Sequence, residues 1–154
     1  MNKIEELVAE YNKMKEEFQK KAQEAFKEVF KQFWTDHPTI EYVMWNQYTP
    51  YFNDGEPCTF SVGEITGLTK VGYEKWEEDG GWPEEYSAYT YNYTKKTYEP
   101  AEGETISKEE SNSCDEALKQ LAKLPDDIYL DMFGDHATVI ATREGFSVEE
   151  FSHD

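Results

Sequence analysis

Histidine, cysteine and arginine are the scarce chemistry-bearing residues of this 154-residue chain: three, two and one, respectively. Two of the histidines stand where a hairpin would bring them together. His136 to Arg143 and Phe146 to His153 alternate apolar and polar residues about Glu144 and Gly145, and a two-residue turn there sets His136 opposite His153. Asp135 and Asp154 lie alongside. Two imidazoles with two carboxylates at one sheet end could hold a divalent metal or act as acid and base, the makings of a metal-dependent hydrolase. Against this, no HExxH or other fixed metal spacing occurs, and a one-residue slip of register would part the rings. The cysteines promise less. Cys58 falls in a predicted strand with Phe60 and Val62 on its face, the setting of a small buried hydrophobe. Cys114 lies near a predicted helix N-terminus, where Asp115 and Glu116 oppose a thiolate. No phosphate loop, dinucleotide fingerprint or GxSxG elbow is present, Arg143 is the single arginine, and no cofactor is implied.

A second constellation surrounds the run from Trp45 to Gly55. Tyr48, Tyr51 and Phe52 form a candidate aromatic platform, with Gln47, Asn53 and Asp54 as polar readers, a combination suited to a small neutral or cationic ligand. Asn-Asp-Gly tolerates positive φ and caps its own turn, while Thr49-Pro50 fixes an extended approach. The stretch W-x-Q-Y-T-P-Y-F-N-D-G-x-x-C-x-F-S-V, from Trp45 to Val62, resembles a family of uncharacterised bacterial and phage proteins at every marked position. Gly134-Asp135-His136 and the final His153-Asp154 extend the likeness. The resemblance implies a small acidic domain of bacterial or phage source. It implies no particular activity.

Charge narrows the partners. The 33 acidic and 15 basic side chains leave a net charge of −18. Residues 1–35 are balanced, with seven acids and seven lysines, so 36–154 carry the whole excess. Such a body is repelled by nucleic acid phosphates and by anionic membranes, which excludes direct nucleic acid binding and membrane association as expectations. It favours a basic protein surface. Within residues 66–103, the acids Glu77, Glu78 and Asp79 stand among Trp76, Trp82, Tyr89, Tyr91 and Tyr93, residue types that dominate interface energetics. These are the candidate partner-binding residues of a non-enzymatic interaction protein, such as a phage-encoded inhibitor of a host factor. The N-terminus lacks the apolar core of a signal peptide and no apolar run is long enough to span a bilayer, so a cytoplasmic protein is expected.

The elements that must position these residues follow from periodicity. Ile4, Leu7, Val8, Tyr11, Met14, Phe18, Ala22, Phe26, Phe30 and Phe33 recur in helical steps, so residues 1–35 read as one long amphipathic helix ended by Pro38. At roughly 50 Å it exceeds what a domain of this size needs, and its first turns could project and form a homo-oligomer. Strands are expected at Ile40 to Trp45 and Cys58 to Ile65, followed by an aromatic, acidic excursion over 66–103 with one strand from Ser87 to Tyr98. Ser113 and Glu116 form a capping box for a helix from Cys114 to Leu124. A second helix runs from Asp126 to Phe133, stopped by Gly134, before the C-terminal hairpin. The whole reads as one α+β domain, residues 1–154: a long helix packed on a mostly antiparallel sheet, with helices on one face.

Overall fold

A computed structural model describes residues 2–52 and 54–153. Its first element, α1 (Lys3–Asp36), begins where the Asn2 side chain accepts the Glu5 N–H at 2.9 Å. Next come β1 (Tyr42–Tyr48), β2 (Ser61–Val62), β3 (Thr66–Leu68), α2 (Lys70–Asp79), β4 (Tyr89–Asn92) and β5 (Thr97–Pro100). The chain continues through α3 (Lys108–Lys119), α4 (Asp126–Phe133), β6 (Ala137–Thr142) and β7 (Gly145–Glu150). The main sheet is antiparallel in the order β2-β1-β6-β7, with β3 sharing the β2 edge of β1. This is the expected α+β architecture, with a long helix in front and a hairpin at the end.

Alternation along β1 and β6 assigns the two faces. Val43, Trp45, Ala137, Val139 and Ala141 point to the side covered by α1, α3 and α4, where Phe26 meets Phe30, Trp45, Tyr129, Phe133 and Phe146 at centroid distances of 5.0 to 6.2 Å. Met44 and Ile140 point the other way, against Leu68, Tyr73, Trp76 and Tyr86. Helices therefore cover both faces, contrary to expectation, because the 66–103 segment is folded. It supplies β3, α2, a 3-10 turn at Pro83–Tyr86 and the hairpin β4–β5.

Other boundaries differ for identifiable reasons. β1 runs on through Asn46 and Gln47 because both backbones are laddered to β6 and both side chains are buried. The expected strand from Cys58 to Ile65 is cut to short pieces at Gly63, whose N–H donates to Asn46 O at 2.8 Å and whose added Cβ would lie 2.9 Å from that oxygen. Cys58 is exposed and lies outside any strand, so it is not a core residue. The strand expected over Ser87 to Tyr98 is a hairpin, folded where the Asn92 side chain accepts the N–H groups of Thr94 and Lys95 at 3.0 Å each. Helix α3 starts at Ser107, whose hydroxyl accepts the Glu110 N–H at 3.2 Å, and not at Ser113. Both serines begin an S-x-x-E pattern. The earlier one prevails because it turns Ser111, Cys114 and Leu118 inward together.

Candidate functional site

The end of the sheet where β1 leaves, β6 enters and the chain returns after β7 collects most of the polar chemistry of the fold. Gln47 is its foundation. Fully buried, its amide donates to Tyr129 O at 2.9 Å and Gly134 O at 2.7 Å, and its oxygen accepts Trp45 Nε1–H at 2.9 Å. Gln47 thus ties the C-terminus of α4 to β1 and is a structural residue, not the ligand reader expected of it. Beyond it, Asp135 accepts Thr49 N–H at 2.8 Å, Thr49 Oγ1–H at 2.7 Å and His136 N–H at 2.8 Å. Burial alone would raise this carboxyl. The hydrogen bonds from Thr49 and His136, with the nearby His136 charge, outweigh it and hold the group below the ordinary carboxylate range.

Gly134 (φ 87°) and His136 (φ 51°) turn the chain sharply between α4 and β6, the second of them in a region a non-glycine residue rarely occupies. That turn presents the His136 ring. The hairpin register is two residues away from the expected one, with Val139 opposite Val148 and the turn at Arg143 and Glu144, so Phe151 lies level with His136 and donates its N–H to His136 O at 2.8 Å. The rings nonetheless meet, because His153 is the diagonal neighbour of His136, two residues beyond Phe151 on the same side: His136 Nδ1 and His153 Nε2 are 2.7 Å apart. Tyr51 stacks on His153 at 4.3 Å and 7°, and on His136 at 5.0 Å and 24°, while Tyr48 covers His153 from another side at 4.2 Å. Trp82 and Phe151 complete the cluster around Tyr48.

The two constellations read separately from the sequence are therefore partly one. Tyr48 and Tyr51 join His136 and His153, whereas Phe52 and Asp54 are exposed without entering the cluster, and Asn53 and Asp154 lie outside the described residues. The hydrogen-bonded imidazoles can pass a proton between them and offer a flat, partly open stack through Tyr51, which is 61% exposed. Among the described residues no three His, Cys, Asp or Glu side chains converge on a common position, and the facing nitrogens are engaged with each other.

The candidate partner-binding residues separate into three places. Trp76, Glu77, Glu78 and Asp79 lie on α2, where Trp76 packs on Tyr73 at 5.8 Å and Tyr73 stacks on Tyr42 at 3.6 Å. Trp82 belongs to the histidine cluster. Tyr89 is half-buried against the core with its hydroxyl on Ile106 O, while Tyr91 and Tyr93 sit with Tyr98 on the small hairpin. Tyr42 and Tyr73 belong to this face by signals the sequence carries: Tyr42 shares one side of β1 with Met44, and Tyr73 stands three residues before Trp76 on a helix. Burial raises both phenols, reinforced for Tyr42 by Glu41, Glu77, Glu144 and Glu74 and for Tyr73 by Glu77 and Glu149.

Cations gather in one groove of about 310 Å³ between α1 and the β6–β7 turn, where Lys27, Lys31 and Arg143 stand beside Phe30, Trp34 and Phe146. The Arg143 guanidinium is already placed, 5.2 Å above the Trp34 ring and 3.2 Å from Pro38 O, and Glu144 shares the rim. Among the described residues, no helix is long and apolar enough to cross a membrane. Comparison with family models, curated proteins and solved structures finds no match to this chain.

Proposed function

We propose that the protein is a non-catalytic interaction protein whose acidic body docks on a basic protein surface. The observation that carries this reading is the shortage of internal compensation. Among the described residues the lysine–carboxylate pairs are Lys95–Glu99 at 3.4 Å and Lys119–Glu116 at 2.9 Å, both exposed, against a body that holds 26 acids. Carboxylates left in this state repel one another. Glu84 and Asp115 are both raised, by burial first and then in part by Glu64, which links the β2–β3 connection, the 3-10 turn and α3 in one acidic region. A second such region surrounds the Tyr42–Tyr73 stack and Trp76, where Glu41, Glu74, Glu77, Glu144 and Glu149 act on the phenols. Carboxylates beside aromatic faces suit lysine and arginine side chains, by charge and by cation–π contact. The motif resemblance over Trp45 to Val62 supports a bacterial or phage source, and with it a host protein as partner.

Affinity capture from a bacterial lysate at low and high salt tests the proposal. The expected result is capture of one or more basic proteins at low salt, released as salt rises and lost in a Glu74→Lys, Glu77→Lys variant. Capture of nothing at low salt, or capture indifferent to the charge reversals, counts against docking through this face.

A second reading, a small-ligand module, is favoured by the Tyr51 stack on the histidine pair. Thermal shift against nucleotides, sugars and amines tests it, and a shift retained by Tyr51→Ala would remove this site from consideration.

A further inference from the structure

We infer that the N-terminal half of α1 is a self-association surface that takes a second copy of this chain. Ile4, Leu7, Val8, Tyr11, Met14 and Phe18 are 52–69% exposed, whereas the same helix buries Ala22, Phe26, Phe30 and Phe33 against the sheet. The body begins near Gln19, whose side chain is hydrogen-bonded to Asp131, so the turns before it stand clear. Ile4, Leu7, Tyr11, Met14 and Phe18 follow one another in alternating steps of three and four, the seam by which one helix packs along another.

Two features identify the occupant. The first is charge. Residues 1–35 hold seven acids and seven lysines, and the projecting residues 1–18 five acids and three lysines, so the protruding turns carry too little charge to select a strongly charged partner, while an identical helix meets them with the same apolar seam and only weak repulsion. The second is area. At roughly 100 Å² apiece, six such side chains from each of two copies remove about 1,200 Å² from water, the lower end of stable interfaces. A bilayer surface fits less well, since the polar face is not enriched in cations and the attached body carries −18.

This association has its own salt signature. Two bodies of −18 repel, and the Debye length falls from about 30 Å at 0.01 M to about 8 Å at 0.15 M salt. Added salt therefore strengthens the dimer, the reverse of its effect on a basic partner, so the two proposals can fail separately. Sedimentation equilibrium of the full chain at both salt concentrations is the test, with the paired variant Leu7→Glu, Met14→Glu. Both substitutions fall on exposed side chains and leave the folded body, read by circular dichroism, unchanged. The expected result is a two-chain species that tightens about tenfold with salt and a dissociation constant raised about a hundredfold or more in the variant. A chain that stays monomeric at the highest concentration reached, a dimer that the variant leaves intact, or a monomer that partitions onto vesicles of phosphatidylcholine with or without phosphatidylglycerol would overturn the inference.

Discussion

His136 and His153 share a hydrogen bond of 2.7 Å although the hairpin ladder sets Phe151, not His153, level with His136. The contact is made diagonally across the hairpin, from a ring presented by the left-handed backbone at His136, and it holds only while one of the two facing nitrogens lacks a hydrogen. Protonation of both rings must break it. Nitrogen-detected NMR should therefore show a scalar coupling between His136 Nδ1 and His153 Nε2 across the shared hydrogen. In His153→Asn that coupling should vanish, with about 1 kcal/mol or less lost in stability at this partly exposed position. Absence of the coupling in the parent chain would mean that the rings are not bonded in solution.

Asp135 gives a pH dependence of definite sign. Its folded-state pKa lies below the unfolded value because hydrogen bonds from Thr49 and His136 overcome the opposing effect of burial. Its stabilisation is therefore fully present above the unfolded value, near about 3.9, and disappears as pH falls through the lower folded value. Asp135→Asn should be less stable than the parent by a constant amount near neutral pH, and the two urea midpoints should converge in acid. A gap that widens as pH falls would contradict the assignment.

Gln47 offers a sharper test of architecture. Gln47→Leu is close in volume but strands the buried Trp45 Nε1–H and removes the amide from Tyr129 O and the part-buried Gly134 O, so a loss of about 2–4 kcal/mol is expected in chemical denaturation. Because Gly134 leads directly into Asp135 and His136, the His136–His153 coupling should weaken in the same variant. A loss under about 0.5 kcal/mol would show that water replaces the amide.

What could be read in the sequence and what could not divides along the range of the interactions responsible. The long helix, α4 and the end of α4 at Gly134 are legible because periodicity and caps lie within a few residues of one another. The role of Gln47 is not, since its partners stand 82 and 87 residues away. The 66–103 segment misleads for a different reason. Its short helix α2 buries only Gly72 fully and covers the sheet with half-buried Tyr73 and Trp76, so no aliphatic stripe announces it. The meeting of His136 with His153 is anticipated from a register that proves wrong by two residues. A shift of two keeps every side chain on its face and leaves His153 diagonal to His136, within reach of its ring.

Cys114 and Cys58 should differ completely as thiols. Cys114 sits in the middle of α3, buried and pressed against Gly67, where an added Cβ would come within 2.5 Å of its sulfur. Burial, helped by Asp115, pushes its thiol up to about 12, so almost none is thiolate near neutral pH. Cys58 is exposed. Under native conditions a disulfide reagent should therefore modify one thiol per chain, mapped to Cys58 by mass spectrometry, and a second only after denaturant unfolds α3. Gly67→Ala forces its methyl group into Cys114 and Ile40, with an expected loss of about 1–3 kcal/mol. The same variant should expose Cys114 to the reagent by lowering the cost of opening that contact. Native modification of Cys114 in the parent chain would show that α3 does not hold it against β3.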